Sequence, residues 1–278
     1  MKLVSSAKLR KAQNAIEAMR PYEEQLLGIL ASLQGGVAGV SSLNLSKNKD
    51  ERKTIVAIAS NSSLCGGFNA NAIAKVRAIR RPGDTVYAIG RKMADAMRKE
   101  GFASPEDFSA LSEHPSYGPA AALVEKLVAD VEAGRTGAVV LVYNHFVSTA
   151  RQEPVVEVLM QRSSEGEESL SSTSLRDPVR ANVPERDSSP APSYIAPLLE
   201  PSREALLEAL VPKTRKLKLY AALLDSAAAE HAARTVAMQT ATDNAENLLS
   251  ELTLQYNKGR QQKITSEILD LAGGQAEN

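Results

Sequence analysis

The stretch "ATDNAENLLSELTLQYNKGRQQKITSEILD", from Ala241 to Asp270, holds no proline and one internal glycine, Gly259. It reads as helix throughout, and the nearest upstream proline is Pro212. A helix from there to Ala272 has about sixty residues and spans about 85 Å at a rise near 1.5 Å per residue. Globular helices mostly run to three or four turns. A helix this long in a chain of 278 residues needs a partner along its length. Met238, Ala241, Ala245, Leu248 and Leu252 recur at three-four spacing, and most are small enough for a second helix to approach closely. Beyond Leu252 the pattern fades, because Gln255 and Gly259 take its next positions.

The other end of the chain supplies a second seam. Leu9, Ala12, Ile16, Met19, Leu26, Leu30, Leu33 and Val37 alternate at three and four residues, and Glu23 holds the one position of the series without an apolar side chain. A sustained repeat of this kind is a coiled-coil seam. Pro21 is expected to bend it locally, and Gly35, Gly36 and Gly39 to end it.

Between the two seams the period changes. "TIVAIAS" (Thr54–Ser60), "TVYAIG" (Thr85–Gly90), "AVVLVYNHF" (Ala138–Phe146) and "PVVEVLM" (Pro154–Met160) read as strands. Helices are predicted over Ala70–Arg80, Arg91–Glu100 and Tyr117–Ala133. Strands alternating with helices predict a small α/β domain with a largely parallel sheet, its last two strands an antiparallel edge pair. Gln161–Ser193, rich in Ser, Glu, Pro and Arg, reads as a loop or insertion, with "SYIAPLL" a short return to strand. "PSREALLEAL" opens the final helix at Ser202, with a kink or break at Pro212 and closure at Gly273-Gly274. The expected division is 1–45 (coiled-coil helix), 52–200 (a Rossmann-like α/β domain inserted between the helices) and 202–278 (coiled-coil helix). The domain reverses the chain, so the helices pair antiparallel. The C-terminal helix outruns its partner, and its last half requires a surface from elsewhere.

Composition supports a mechanical design. Thirty-three basic residues balance thirty-three acidic ones, so no global field points to nucleic acid. The single cysteine, Cys65, excludes an internal disulfide. No apolar run approaches the about 18–20 residues that span a bilayer as helix. "SLCGGFNAN" (Ser63–Asn71) follows a strand and precedes a helix, where glycines could admit a phosphate to backbone N–H groups. It matches neither a dinucleotide fingerprint nor a Walker loop. It reads better as a tight turn, with Cys65 as a small buried thiol. His114, His145 and His231 lie apart, without metal-ligand spacing. Glu246 and Glu251 have no identifiable facing carboxylate, and "KTRKLKL" (Lys213–Leu219) reads as a solvated basic face. No catalytic constellation, cofactor site or metal site emerges. A coiled-coil adaptor and a small nucleotide-binding protein using the cysteine turn remain as other readings of the residues.

Four stretches together resemble the gamma subunit of F-type ATP synthase: "MKLVSSAKLRKAQ" (Met1–Gln13), "LCGGFN" (Leu64–Asn69), "YAALLDSAAAEHAARTVAMQ" (Tyr220–Gln239) and "ATDNAENLLSELTLQYNKGRQQKITSEI" (Ala241–Ile268). The resemblance covers nearly the whole chain in the family's order. One departure is "SNSSLCGG" (Ser60–Gly67), where Asn61, Ser62 and Ser63 stand in place of the family's usual Asp, Arg and Gly. Another is the opening: with no cap residue before Lys2 and the seam already running, about twenty further residues are expected upstream of Met1. The resemblance implies a rotating central stalk that couples proton or sodium flow to ATP synthesis and hydrolysis. It implies three alpha and three beta subunits around one copy of the chain, an epsilon subunit and a membrane c-ring as partners, and no nucleic acid or small-molecule substrate. It places the chain peripherally on the cytoplasmic side of a bacterial inner membrane. ATP chemistry then belongs to the beta subunits, and this chain is non-catalytic. The family's beta-contact motif falls on Arg260, Gln261, Thr265 and Glu267.

Overall fold

A computed structural model describes residues 2–33, 52–102, 104–162, 200 and 202–275, with side chains described as far as residue 269 except at position 31. The expectations at Val37, at the glycines after it, over most of Gln161–Ser193 and at "SYIAPLL" lie outside the described residues.

The central strands are β1 (Lys53–Ile58), β2 (Thr85–Ile89), β3 (Ala138–Phe146) and β4 (Gln152–Gln161). They form one sheet in the order β2-β1-β3-β4. β1 runs parallel to both β2 and β3, and β4 closes the edge antiparallel to β3 with a register shift between Val139 and Val140. The long apolar runs of β1 and β3 follow from burial on both faces. Alternate residues face opposite ways. Ile55, Ala57, Val86, Ala88 and Val142 pack against α2 (Phe68–Ile79) and α3 (Arg91–Lys99) through Ala72, Val76, Met93 and Met97. Val56, Ile58, Ile89, Val139 and Leu141 face the other way, onto Leu111 of the short α4 (Ser109–Glu113) and Leu123 and Leu127 of α5 (Tyr117–Glu132). The same core takes Leu219, Ala222 and Leu223 from α6 (Arg203–Gln275). The sheet is therefore built directly onto the long helix. One turn is fixed by sterics: Gly90, between β2 and α3, has φ +100°, and a Cβ there would lie 2.1 Å from the Ala59 carbonyl oxygen.

The helix α1 (Lys2–Leu33) has 32 residues, and α6 has 73, which is about 110 Å of helix. They pair antiparallel, as the seams require: Lys2 bonds Gln239 near one end, and Leu9 packs with Ala228 and Ala232. Leu26, Leu30 and Leu33 are buried at the other end of α1. Small alanines on α6 let the axes come close.

Of the kink or break expected at Pro212, the break is absent: the proline lies inside α6. Its ring removes one intrahelical hydrogen bond, but that side of the helix faces solvent, while Leu217 and Leu219 are buried just beyond it. The Gly273-Gly274 pair is likewise helical, and α6 continues to Gln275. α1 is described from Lys2, which lies opposite Gln239; past that point the seam residues Ala241, Ala245, Leu248 and Leu252 of α6 are exposed. The residues of α6 that α1 and the sheet cover lie in the preceding alanine-rich stretch, between Leu217 and Ala233.

Candidate functional site

Two polar fastenings hold the sheet to α6, and a free length of helix extends beyond them. The first fastening is the cysteine turn. Cys65 is buried against Phe68, Phe146, Ala229 and Ala233. Asn69 stitches the turn, its Oδ1 accepting from the Ser60 N–H (3.0 Å) and its Nδ2 donating to the Ser62 carbonyl (3.2 Å). Asn61, one of the departures from the family pattern, donates to the Ser109 carbonyl (2.8 Å) and accepts from the Arg91 N–H (3.0 Å). Leu64 and Gly66 both adopt positive φ, and a Cβ at Gly66 would reach Ala237 of α6. The turn thus sits on a helix, and Gly66 serves its positive φ. Arg234 completes the fastening from α6. One of its Nη atoms donates to Ser62 Oγ (2.8 Å), and the other pairs with Glu230 (2.7 Å), with both charged side chains nearly buried. Burial pushes the Glu230 carboxyl up, against the opposing pull of Arg234.

The second fastening is Asp225. Its Oδ1 accepts the Phe146 backbone N–H (3.0 Å), and its Oδ2 meets His145 Nδ1, which pins the end of β3 to α6. Burial raises the Asp225 carboxyl above its ordinary range, while the His145 and Phe146 hydrogen bonds lower it. Beside it, the Tyr143 hydroxyl donates to Glu157 (3.0 Å), and Lys218 pairs with Glu157 (3.3 Å) while donating to the Val158 carbonyl (3.1 Å). Burial, then the Glu157 charge, pushes the Tyr143 phenol well up. His231 lies six residues further along α6 than Asp225, with its buried Nδ1 unpartnered among the described residues, and burial holds it down at about 4.

The third part is α6 beyond Gln239. Every residue from Thr240 to Leu269 is exposed. Leu248, Leu249, Leu252, Leu254 and Tyr256 show half or more of their surface to solvent, and Ile264, Ile268 and Leu269 are also exposed. Arg260, Gln261, Thr265 and Glu267 stand on this free length. Thr265 Oγ1 donates back to the Gln261 carbonyl (2.8 Å), and the helix brings Gln261 and Thr265 one turn apart. The roles of Asp225, Glu230 and Arg234 were missed in the sequence. The available signal was a cluster of charges within "LLDSAAAEHAAR" (Leu223–Arg234), an otherwise small and apolar run. Among the described residues, no helix is long and apolar enough to cross a membrane.

A family model described as ATP synthase matches residues 1–276. The ATP synthase gamma chain of Phocaeicola vulgatus is 43% identical over 281 residues, covering 99% of this chain and 91% of that one. The ATP synthase gamma chain of Bacteroides thetaiotaomicron is 39% identical over 285 residues, with the same coverage. Among solved structures, a chain of the Euglena gracilis mitochondrial ATP synthase (OSCP/F1/c-ring) aligns with TM-score 0.60 at 18% identity, covering 98% of this chain and 94% of that one. A chain of the Tetrahymena thermophila mitochondrial ATP synthase central stalk and c-ring aligns with TM-score 0.58 at 18% identity, covering 87% and 97%. The structural likeness extends over both the sheet and the paired helices, and the sequence identity carries the family assignment: the chain belongs to the family of ATP synthase gamma chains.

Proposed function

We propose that this chain is the rotating central stalk of an F-type ATP synthase. The observation that carries the reading is α6 itself: one helix of 73 residues, fastened to the sheet, paired with α1 and carrying exposed leucines past Gln239. A helix with exposed leucines along about 30 residues is poorly stabilised in water, because most helical stability comes from packing of an apolar face. A surrounding ring of three alpha and three beta subunits supplies that surface. The segments 1–45 and 202–278 form the rod, and 52–200 forms the body, which binds an epsilon subunit and sits on a membrane c-ring. Ion flow turns the c-ring, and the fastenings at Asp225 and Arg234 carry the turn from body to rod. Arg260, Gln261, Thr265 and Glu267 meet the beta subunits at changing orientations. Arg260 offers a fork of donors to carboxylates or carbonyls. Each orientation favours a different beta-subunit conformation, so rotation couples to nucleotide affinity through differential contacts. The chain itself is non-catalytic, and it resides peripherally on the cytoplasmic side of a bacterial membrane.

Co-expression of the tagged chain with alpha and beta subunits tests this. The expected result is a complex with one copy of the chain per three of each. Recovery of neither subunit, or of a symmetric homodimer of this chain alone, would overturn the stalk reading.

A further inference from the structure

Glu23 is the one residue of the α1 seam that is not apolar, and the fold explains where it points. Its side chain lines a cleft of about 190 Å³ between α1, α6 and the β3–β4 edge. The charged and titratable groups facing that cleft come from every element around it: Arg20 and Glu23 from α1, Tyr143 and His145 from β3, Glu157 from β4, and Lys218 and Asp225 from α6. Two of the three carboxylates are provided for. Glu157 has Tyr143 and Lys218, and Asp225 has His145 and the Phe146 N–H. Glu23 has no hydrogen bond or ion pair to its side chain among the described residues, and it stands half-buried near two other acids. Glu153, opposite His145 in the β3–β4 register, adds negative charge along the same edge, where Arg151 pairs with it.

We propose that Glu23 is a proton-operated latch: α1 closes over the sheet edge with Glu23 neutral and loosens as Glu23 ionises. Three carboxylates in one cleft, with Lys218 and Arg20 as the permanent cations, make the third negative charge unfavourable. A neutral carboxyl removes that repulsion and can donate a hydrogen bond to a neighbouring carboxylate. The direction agrees with the environment of Glu23. Burial raises its proton affinity most, Glu157 and Asp225 raise it further, and Lys218 and Arg20 oppose them. A carboxyl with raised affinity in the closed form stabilises that form fully below its ordinary value of 4.5. The contribution is lost as pH rises through the raised value. The latch therefore tightens on acidification.

The test is hydrogen exchange of the 278-residue chain between pH 4 and 8, read by mass spectrometry on peptides of α1 around residues 16–30 and corrected for intrinsic exchange. In the wild type, opening of this segment becomes rarer as pH falls, by at most tenfold per pH unit, the limit for uptake of one proton. In Glu23→Gln, and in Glu23→Leu, which restores the apolar seam, the segment stays protected at pH 8 and this pH dependence disappears. In His145→Gln the dependence remains. A flat wild-type profile overturns the latch. So does a Glu23→Gln profile with the wild-type slope, or loss of the slope in His145→Gln, which would move the proton to the histidine.

Discussion

Placing charge on the free length of α6 separates what the chain does for itself from what it does in an assembly. Leu248 and Leu252 are 55% and 51% exposed. Full burial of a leucine is worth about 1.5–3 kcal/mol, so covering the remaining half of each contributes roughly 1 kcal/mol per residue on assembly. Leu248→Asp with Leu252→Asp removes that gain of about 2 kcal/mol. It also asks a surrounding protein to desolvate two unpaired carboxylates, at several kcal/mol more unless they remain wet. Assembly should weaken by about 4 kcal/mol or more, close to a thousandfold in affinity. Within the isolated chain the same pair of changes touches no core residue. The expected cost is the helix propensity difference of about 0.5 kcal/mol per site, confined to the exposed turns. The assay has two arms. Thermal unfolding of the purified chain should leave the main transition, which reports the sheet and the α1–α6 pair, in place. Co-purification with alpha and beta subunits should lose most of the complex. Wild-type yield of complex from the doubly substituted chain refutes the idea that this length of helix is enclosed. A large fall in the chain's own unfolding temperature refutes the geometry, because it means Leu248 and Leu252 already pack within the chain.

Arg260→Ala with Gln261→Ala should spare assembly and lower nucleotide turnover per complex about tenfold or more, the effect of losing one charge-assisted hydrogen bond of roughly 1.5–3 kcal/mol; unchanged turnover removes these residues from the beta contact. Asp225→Ala should destabilise the chain by about 1–3 kcal/mol in denaturant titration, because the Phe146 N–H is left without its acceptor, whereas Asp225→Asn, which keeps an acceptor oxygen, should cost clearly less. Gly90→Ala should cost about 3 kcal/mol or more, since positive φ strains alanine and its Cβ meets the Ala59 carbonyl; an unchanged unfolding midpoint contradicts the β2–α3 turn. His231 is held down at about 4 from an ordinary 6.5, so the unfolded chain binds its proton first. Its contribution to stability is present above 6.5 and is lost as pH falls toward 4. His231→Leu should therefore flatten the acid side of a stability–pH curve, opposite in sign to the contribution of Glu23.

The periods in the chain were sufficient for most of the architecture. β1, β2, β3 and β4 lie where the β-branched runs fall, and the antiparallel edge pair follows from the short polar link between Phe146 and Gln152. α1 and α6 lie where the three-four repeats fall. These elements are legible because their residues answer to local rules: alternation on a pleat and recurrence on a helix face. The short α4 was missed, since five residues give too few turns to show a period. The family assignment also came from sequence alone, through long matched stretches rather than through any chemistry.

Tertiary structure decided which residues meet. Leu9 of α1 packs against Ala228 and Ala232, in the alanine-rich stretch of α6, while Leu248 and Leu252 are exposed. Spacing states that a helix has an apolar face and is silent on which residues of a second helix it meets. The continuity of α6 through Pro212 was likewise beyond local rules: the residues beyond the proline are anchored in the sheet's core, and that packing outweighs one lost hydrogen bond. The same holds for the polar fastenings. Asp225 lies about 80 residues from its partners in sequence and Arg234 about 170 from Ser62. Only the fold brings these groups together, and a charged residue on an alanine-rich helix looks the same in sequence whether it faces water or fastens a sheet.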